Sequence, residues 1–389
     1  MRSGQIATAY IVAARRSALG RIGGLHRNRR IEDLAAPVVR AALDDCGLVP
    51  DRVDEVVIGN TSAGGNPARL IALASGLPES VAASTVDRQC ASGLDAILHA
   101  ARLINLGEAS IIVAGGAESL STAPWRIAKP KSLYQMPHFI GIEPSASEAV
   151  AEMPHFEAAE DLARRLNISR QQQDAYAIKS LLKAEKARQS RRFVGEIVPL
   201  KANPDEARDQ SAIDPDPSEI EQMLPFQQPD GTLTPANTST LHDGAAIVIV
   251  VSEAVWHELG KPRALRLVAG AAQGVTHDQD ARAPILAVEK LYTRLNGERP
   301  QEIARFEISE SSAAQAIALA DALGIDEARL NPDGGAIARG HPLGASGAVL
   351  VVRLFTALAR GDGPDRPRYG VAAQGAMGGM GLAALFEAV

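Results

Sequence analysis

Cysteine is scarce in these 389 residues: there are two, Cys46 and Cys90. So few in so long a chain exclude a disulfide framework and suit a reducing compartment. Aromatic residues make up only 4%, so the core has to be built from small aliphatic side chains, which suits helices packed closely on strands. Long apolar runs are missing as well. The longest, Ala245 to Val251, is far too short to cross a bilayer, and Met1-Arg2-Ser3-Gly4-Gln5 has no apolar stretch of a signal peptide. The net charge of −6 argues against general nucleic-acid binding. The expectation is a soluble, cytoplasmic protein with room for two or more domains.

Strand and helix patterns alternate along the chain. Ile6 to Ala13 reads as a buried strand, followed by an Arg/Gly-rich loop from Arg15 to Arg30. An amphipathic helix over Ile31–Cys46 is closed by Gly47, with Cys46 as core filler. Val53–Asn60 is the next strand, then comes a short helix around Pro67 to Gly76. Ser110–Ala114 is a strand running into Gly115-Gly116-Ala117-Glu118-Ser119. The alternation predicts a layered α/β domain with a parallel core sheet. From Ser121 to about Asn237 the texture becomes irregular, with one helical region from Glu157 to Gln189. This is read as a subdomain inserted over the core. Its Lys129, Lys131 and His138 could meet a phosphate, although a solvated loop accounts for them too. The sheet resumes with Ala245 to Val251, and a second α/β half opens at Ala264 to Ala271.

Cys90 sits where a polar segment, Ser84 to Gln89, turns into an apolar helix carrying Leu94, Ile97, Leu98 and Ala101. The first turn of a helix favours an anion, and a thiol of pKa about 8.5 placed there becomes more acidic. Ala91, Ser92 and Gly93 leave room for an approach to the sulfur. Such a cysteine is either a nucleophile or a small buried hydrophobe, and position alone does not choose.

The second half echoes the first. Ala345-Ser346-Gly347 repeats Ala91-Ser92-Gly93, each opening an apolar helix, and each helix is expected to have the same length and to end at a Gly before an acid, Gly107-Glu108 and Gly361-Asp362. A duplicated fold brings two equivalent helix N-termini together, with Cys90 and His341 facing each other across a pseudo-twofold axis. A histidine there can take a proton from a thiol.

Four blocks then stand out together: Arg88-Gln89-Cys90-Ala91-Ser92-Gly93, Gly115-Gly116-Ala117-Glu118-Ser119, Asn237-Thr238-Ser239 with Asp243-Gly244-Ala245-Ala246, and Gly340-His341-Pro342-Leu343-Gly344-Ala345-Ser346-Gly347. In order and spacing they resemble the signature blocks of the thiolase family, over essentially the whole chain. The resemblance implies a duplicated five-layer α/β fold: an N-terminal half over 1–120 completed by 241–261, a loop subdomain over 121–240 and a C-terminal half over 262–389. It implies an acyl-CoA substrate with no resident cofactor or metal, a homodimer or homotetramer, and a place in fatty acid metabolism. Cys90 matches the family's acylated nucleophile and His341 the histidine that activates it and helps form an oxyanion hole. Ser239, Leu224, Phe226 and Ala269 match positions that touch the coenzyme.

The chain also departs from the family pattern. Gly375, in Gln374-Gly375-Ala376-Met377, occupies the position of the family's second cysteine, which exchanges a proton with the acceptor substrate. Ser309, in Ser309-Glu310-Ser311-Ser312, stands where the family has an asparagine that orients a water in the oxyanion hole. Met377 replaces a usual glycine, although its backbone N–H can still serve an oxyanion. Ala269 replaces a common serine. Met153-Pro154-His155-Phe156-Glu157 lies where the family shapes its acyl pocket, and His155 is a remote substitute for the missing acid/base.

The leading expectation is therefore an acyltransferase that forms an acyl-Cys90 thioester. It would carry out either 3-ketoacyl-CoA thiolysis or condensation at reduced efficiency, or acyl transfer to an unusual acceptor. The rival is a non-catalytic thiolase-like subunit that binds coenzyme A or organises partners. A thiol-redox role is weaker, since Cys46 and Cys90 form no Cys-x-x-Cys arrangement.

Overall fold

The computed structural model describes residues 8–140, 155–200, 204–211, 217–227, 229–295, 303–361 and 367–389. Among the described residues ten strands form the main sheet, nine of them in one continuous row: β1 (Ala9–Arg16), β2 (Glu55–Gly59), β3 (Ala82–Val86), β4 (Ile111–Glu118), β5 (His242–Ser252), β6 (Leu265–Gly274), β7 (Ile303–Ile308), β8 (Tyr369–Ala376) and β9 (Met380–Ala388); the tenth, Gly20–Arg21, pairs with the start of β5. The order in the row is β7-β8-β9-β6-β1-β5-β4-β2-β3. The order is symmetric about the β6–β1 junction. On one side β1–β5 and β5–β4 are antiparallel and β4–β2 parallel. On the other, β6–β9 and β9–β8 are antiparallel and β8–β7 parallel. Within that row, among the described residues, β3 at the far end has no counterpart.

The two half-sheets touch edge to edge at just two residue pairs, Tyr10 with Arg266 and Ile11 with Leu265. Neighbouring residues of one strand point to opposite faces, and here the two faces belong to different cores. Val57 lies in a cluster with Leu94, Ile97, Leu350 and Phe386, whereas Val56 and Ile58 lie with Leu34 and Val39. In the second half Ala372 and Ala384 face the first of these clusters, and Val371 and Leu385 face a third with Val288 and Leu319.

Five layers follow. Helices α1 (Ile31–Cys46) and α2 (Pro67–Ala74) cover one outer face. α3 (Ser92–Leu106) is part of the central layer. α4 (His155–Arg165) and α5 (Arg170–Gln189) belong to the inserted region. α6 (Ala283–Arg294) and α7 (Ala313–Leu323) cover the other outer face. α8 (Leu343–Leu354) joins α3 between the two half-sheets. The scarcity of aromatics is consistent with this construction, because small side chains let two helices share one interior layer.

Several expectations change in detail. The sheet is mixed rather than parallel, because β5 returns from beyond the insertion to pair antiparallel with both β1 and β4. β1 runs on to Arg16, and its expected start at Ile6 lies outside the described residues. β4 continues through the Gly-Gly stretch to Glu118, where a bare Gly116 lets Gly344 pack against it. The polar segment before Cys90 contains strand β3, half-exposed at the sheet's edge. The 157–189 region is two helices. The break falls at Asn167, whose φ is +55°, and Ser169, which caps α5 in a reciprocal pair with Gln172. The two central helices also differ in length: α3 spans 15 residues and stops at left-handed Gly107, whereas α8 spans 12 and passes into a π turn over Phe355–Ala359.

The inserted region is bolted down by buried charge. Arg16 pairs with Glu196 at 2.8 Å and Asp209 at 2.6 Å. Arg353 of α8 pairs with Glu196 and Asp333, and Arg305 of β7 with Glu307 and Asp333.

Candidate active site

The turn before Cys90 is held tightly. Gln89 adopts a left-handed φ of +51°. The Arg88 N–H donates to Ser92 Oγ at 2.8 Å, and the Ser92 hydroxyl donates to the Gln89 carbonyl at 2.6 Å. Arg88 Nε donates to Asp95 Oδ2 at 2.7 Å. The clasp presents Cys90 two residues ahead of α3. There the sulfur is buried and accepts a hydrogen bond from the Met377 backbone N–H. Burial pushes the thiol up to about 12, the Met377 N–H opposes that rise, and the Asp280 carboxylate adds to it. The helix terminus therefore does not by itself make a thiolate. A base is required.

His341 sits two residues ahead of α8. Gly340 before it has a φ of +97°, and a Cβ there would fall 2.2 Å from the His242 ring, so only glycine fits. The His341 N–H donates to Thr240 O at 2.8 Å, its carbonyl accepts from the His242 N–H at 3.1 Å, and its Nδ1 lies 2.7 Å from Ser346 Oγ. The two helices meet at their first turns in a reciprocal contact. A Cβ on Gly93 would fall 3.0 Å from the Ala348 nitrogen, and one on Gly347 would fall 2.7 Å from the Leu94 nitrogen. Leu94 follows Gly93 as Ala348 follows Gly347, so each half offers the same patch to the other. This crossing carries Cys90 and His341 to one end of the paired helices.

Gly375 and Ser309 are neighbours: the Gly375 N–H donates to Ser309 Oγ at 3.2 Å. A Cβ on Gly375 would lie 3.3 Å from Gln315 Nε2 and 3.5 Å from Pro284 Cδ, so the position is close to accommodating a side chain. The Ser239 N–H donates to Ser311 O at 3.1 Å, which ties the Asn237–Ser239 block to the Ser309 block.

The remaining sequence candidates lie elsewhere. Leu224 is 71% exposed, and Phe226, 48% exposed, packs on Phe156. Ala269 lies inside β6 opposite Leu385, half-buried at the margin of the outer core. Lys129, Lys131 and His138 are exposed around a small hairpin, Arg126–Ala128 with His138–Ile140. His155 begins α4, and its side chain, with Met153 and Pro154, lies outside the described residues. Cys46 is half-buried near the end of α1, with its thiol pushed up to about 11 by burial, as core filler should be.

Three contributors escape the sequence reading. Glu118 is buried and accepts from Asn60 Nδ2 at 2.7 Å, Thr61 Oγ1 at 3.0 Å and the Gly344 N–H at 3.0 Å, so it locks the start of α8 to the end of β2. Glu310 gathers Tyr176 (3.0 Å), Ser180 (2.8 Å) and Asn331 (2.7 Å), joining α5 to the second half. Asp280 accepts from the Gly379 N–H at 2.7 Å, in the turn that also supplies the Met377 N–H to Cys90. Among the described residues no group of three or more His, Cys, Asp or Glu could hold a metal ion, and no helix is long and apolar enough to cross a membrane.

A duplicated α/β chain with a cysteine and a histidine ahead of two crossed central helices defines the class. Family models for the thiolase N-terminal domain and the thiolase C-terminal domain match residues 9–254 and 261–388. The chain belongs to the thiolase family. It is 38% identical to YhfS of Bacillus subtilis (strain 168), over 97% of this chain and 99% of that one. It is 35% identical to the acetyl-CoA acetyltransferase of Cupriavidus necator, over 97% and 98%. The crystal structure of the Bacillus anthracis acetyl-CoA acetyltransferase superposes with a TM-score of 0.89, at 32% identity and 99% coverage of both chains.

Proposed function

We propose that this thiolase-family acyltransferase takes an acyl group from an acyl-CoA onto Cys90. The observation that carries the reading is the reciprocal crossing of α3 and α8, which gathers a buried thiol and an imidazole at adjoining helix N-termini. With the Cys90 thiol at about 12, the thiolate is scarce at neutral pH unless His341 takes the proton. The Ser346 contact orients that ring through Nδ1. The Cys90 sulfur then attacks the thioester carbonyl, its carbon–sulfur bond to coenzyme A breaks, and coenzyme A leaves with the proton returned by the imidazole. The Met377 N–H already points at the sulfur, and it is the donor we assign to the developing oxyanion.

The acceptor step follows either thiolysis and condensation at reduced efficiency or transfer to an acceptor that needs no strong base. Gly375, which carries no acid/base group, supports this division, and Ser309 takes the place of the water-orienting residue. Ser239, Leu224, Phe226 and Ala269 are the proposed coenzyme contacts. Among the described residues no strand pairs with the outer edge of β3, whose side chains are half-buried, and this supports a homo-oligomer.

The test is intact-mass measurement after incubation with acetyl-CoA and longer acyl-CoAs. One acyl group should add to the wild type and none to Cys90→Ser. No adduct from any donor would favour the rival role, a coenzyme-binding or assembly subunit without turnover.

A further inference from the structure

Arg339 ends the short helical turn Ala336–Arg339, two residues before His341. It is 5% exposed. Its Nη2 donates to the Gly334 carbonyl at 2.8 Å, while Nε and Nη1 meet no acceptor among the described residues. The neighbouring charges do not answer it. Arg16, Arg192, Arg305 and Arg353 share Glu196, Asp209, Glu307 and Asp333. Among the described residues these four arginines share four carboxylates, and Arg339 is a fifth guanidinium in the same region. It lies 5.6 Å from the centroid of the Phe193 ring, with Arg353 at 4.8 Å and Arg16 at 5.6 Å from that centroid. A buried charge left without a counter-ion is costly, and proteins retain one where a ligand supplies the other sign.

There is space for such a ligand. Arg339 and Phe193 line a cavity of about 660 Å³ beside α5, within the range of small-molecule sites. Leu181, Ala184 and Ile197 give it apolar walls, and the exposed Arg191 and Arg208 are also among its lining residues. Its two acids have partners of their own, Asp209 with Arg16 and Glu185 with Arg188. None of Ser239, Leu224, Phe226 or Ala269 lines it, so it is separate from the proposed coenzyme contacts. Arg339 also lines a second cavity of about 20 Å³ with Ser309, Ser346 and Gln374. Ser346 is the residue bonded to His341.

We infer that the larger cavity is a binding site for a small amphipathic monoanion, a carboxylate on an apolar body, whose head group pairs with Arg339. The one buried guanidinium left without a carboxylate, Arg339, calls for one negative charge beside it, and the aliphatic walls call for a hydrocarbon body. Such a ligand would lie against a residue two positions from the catalytic histidine.

The test is calorimetric titration of the full chain, without coenzyme A, with octanoate in one arm and inorganic phosphate in the other. Octanoate should bind at one site, more tightly than phosphate. Arg339→Met should weaken octanoate about tenfold or more, as the loss of hydrogen bonds to a charged group does. That variant should melt no lower than the wild type, since it removes an unanswered charge. Ala207→Trp at the exposed rim keeps Arg339 and should block octanoate, which decides the matter if Arg339→Met does not fold. Equal octanoate affinity in either folded variant would overturn the site. So would no binding of octanoate to the wild type at millimolar concentration. Phosphate binding more tightly than octanoate would overturn the amphipathic ligand.

Discussion

At the scale of single residues, the proposed nucleophile, Cys90, is shaped by its neighbours more than by its helix. Burial outweighs the Met377 N–H at Cys90, and the Asp280 carboxylate pushes the same way as burial. Asp280→Asn removes a negative charge beside a group that must become negative, so the Cys90 thiol should become more acidic. The pH midpoint of Cys90 alkylation by iodoacetamide, followed by mass, should fall, and an unchanged or higher midpoint would contradict the assignment. Gly375 poses the complementary question. The nearest atoms a Cβ placed there meets are the end of the Gln315 amide at 3.3 Å and the Pro284 ring, and the Gln315 amide can yield. Gly375→Cys should therefore fold and raise acetoacetyl-CoA thiolysis by roughly 10²–10⁴-fold, the usual worth of a positioned acid/base. No gain would mean that a side chain at Gly375 is not what limits thiolysis.

At the scale of elements, the crossing of α3 and α8 is the feature most exposed to small changes. Gly93→Ala would set a methyl 2.6 Å from the Gly344 carbonyl oxygen, a backbone atom fixed by its own helix. Overpacking of this kind costs about 1–3 kcal/mol. A melting temperature lower by several degrees, with weaker acylation of Cys90, is the expected outcome. An unchanged melting temperature would mean that the helices separate easily. This crossing was legible in the chain because Ala-Ser-Gly recurs at both helix starts. The helices' unequal lengths were not, since a π turn over Phe355–Ala359 has no local residue signature. Nor does the sequence choose between strand and loop for β3, because an edge strand with half-exposed side chains lacks an apolar alternation. Glu118, Glu310 and Asp280 were invisible as contributors for a related reason. Each collects donors from segments far apart in the chain, and only the folded register brings those donors together.

At the scale of the whole molecule, buried ion pairs fasten the inserted region to the duplicated core alongside the apolar packing of α4 and α5. Glu196, Asp209 and Asp333 all hold their protons less tightly than free carboxylates. Burial works against that, but the surrounding guanidiniums of Arg16, Arg353 and Arg305 overcome it. A carboxylate whose folded pKa is depressed adds stability that is complete above its unfolded value, about 4, and is lost as the pH falls below it. The melting temperature should therefore be flat near neutrality and drop steeply below about pH 4. Hydrogen exchange in α5 should accelerate before exchange in β4 or β5. Acid loss beginning instead near pH 6 would point to histidines rather than to this network.

The strand that completes the first half-sheet, β5, arrives on the ribosome only after the whole insertion has been made. Until then β1 and β4, which flank it in the finished sheet, wait with unsatisfied edges for more than a hundred residues of synthesis. At ~5–20 residues per second that is on the order of ten seconds. During that time the nascent chain is a candidate for mispairing or for chaperone capture. The same arrangement that lets one subdomain sit over both halves thus makes this protein a late folder, with its first half unable to close before most of the chain exists.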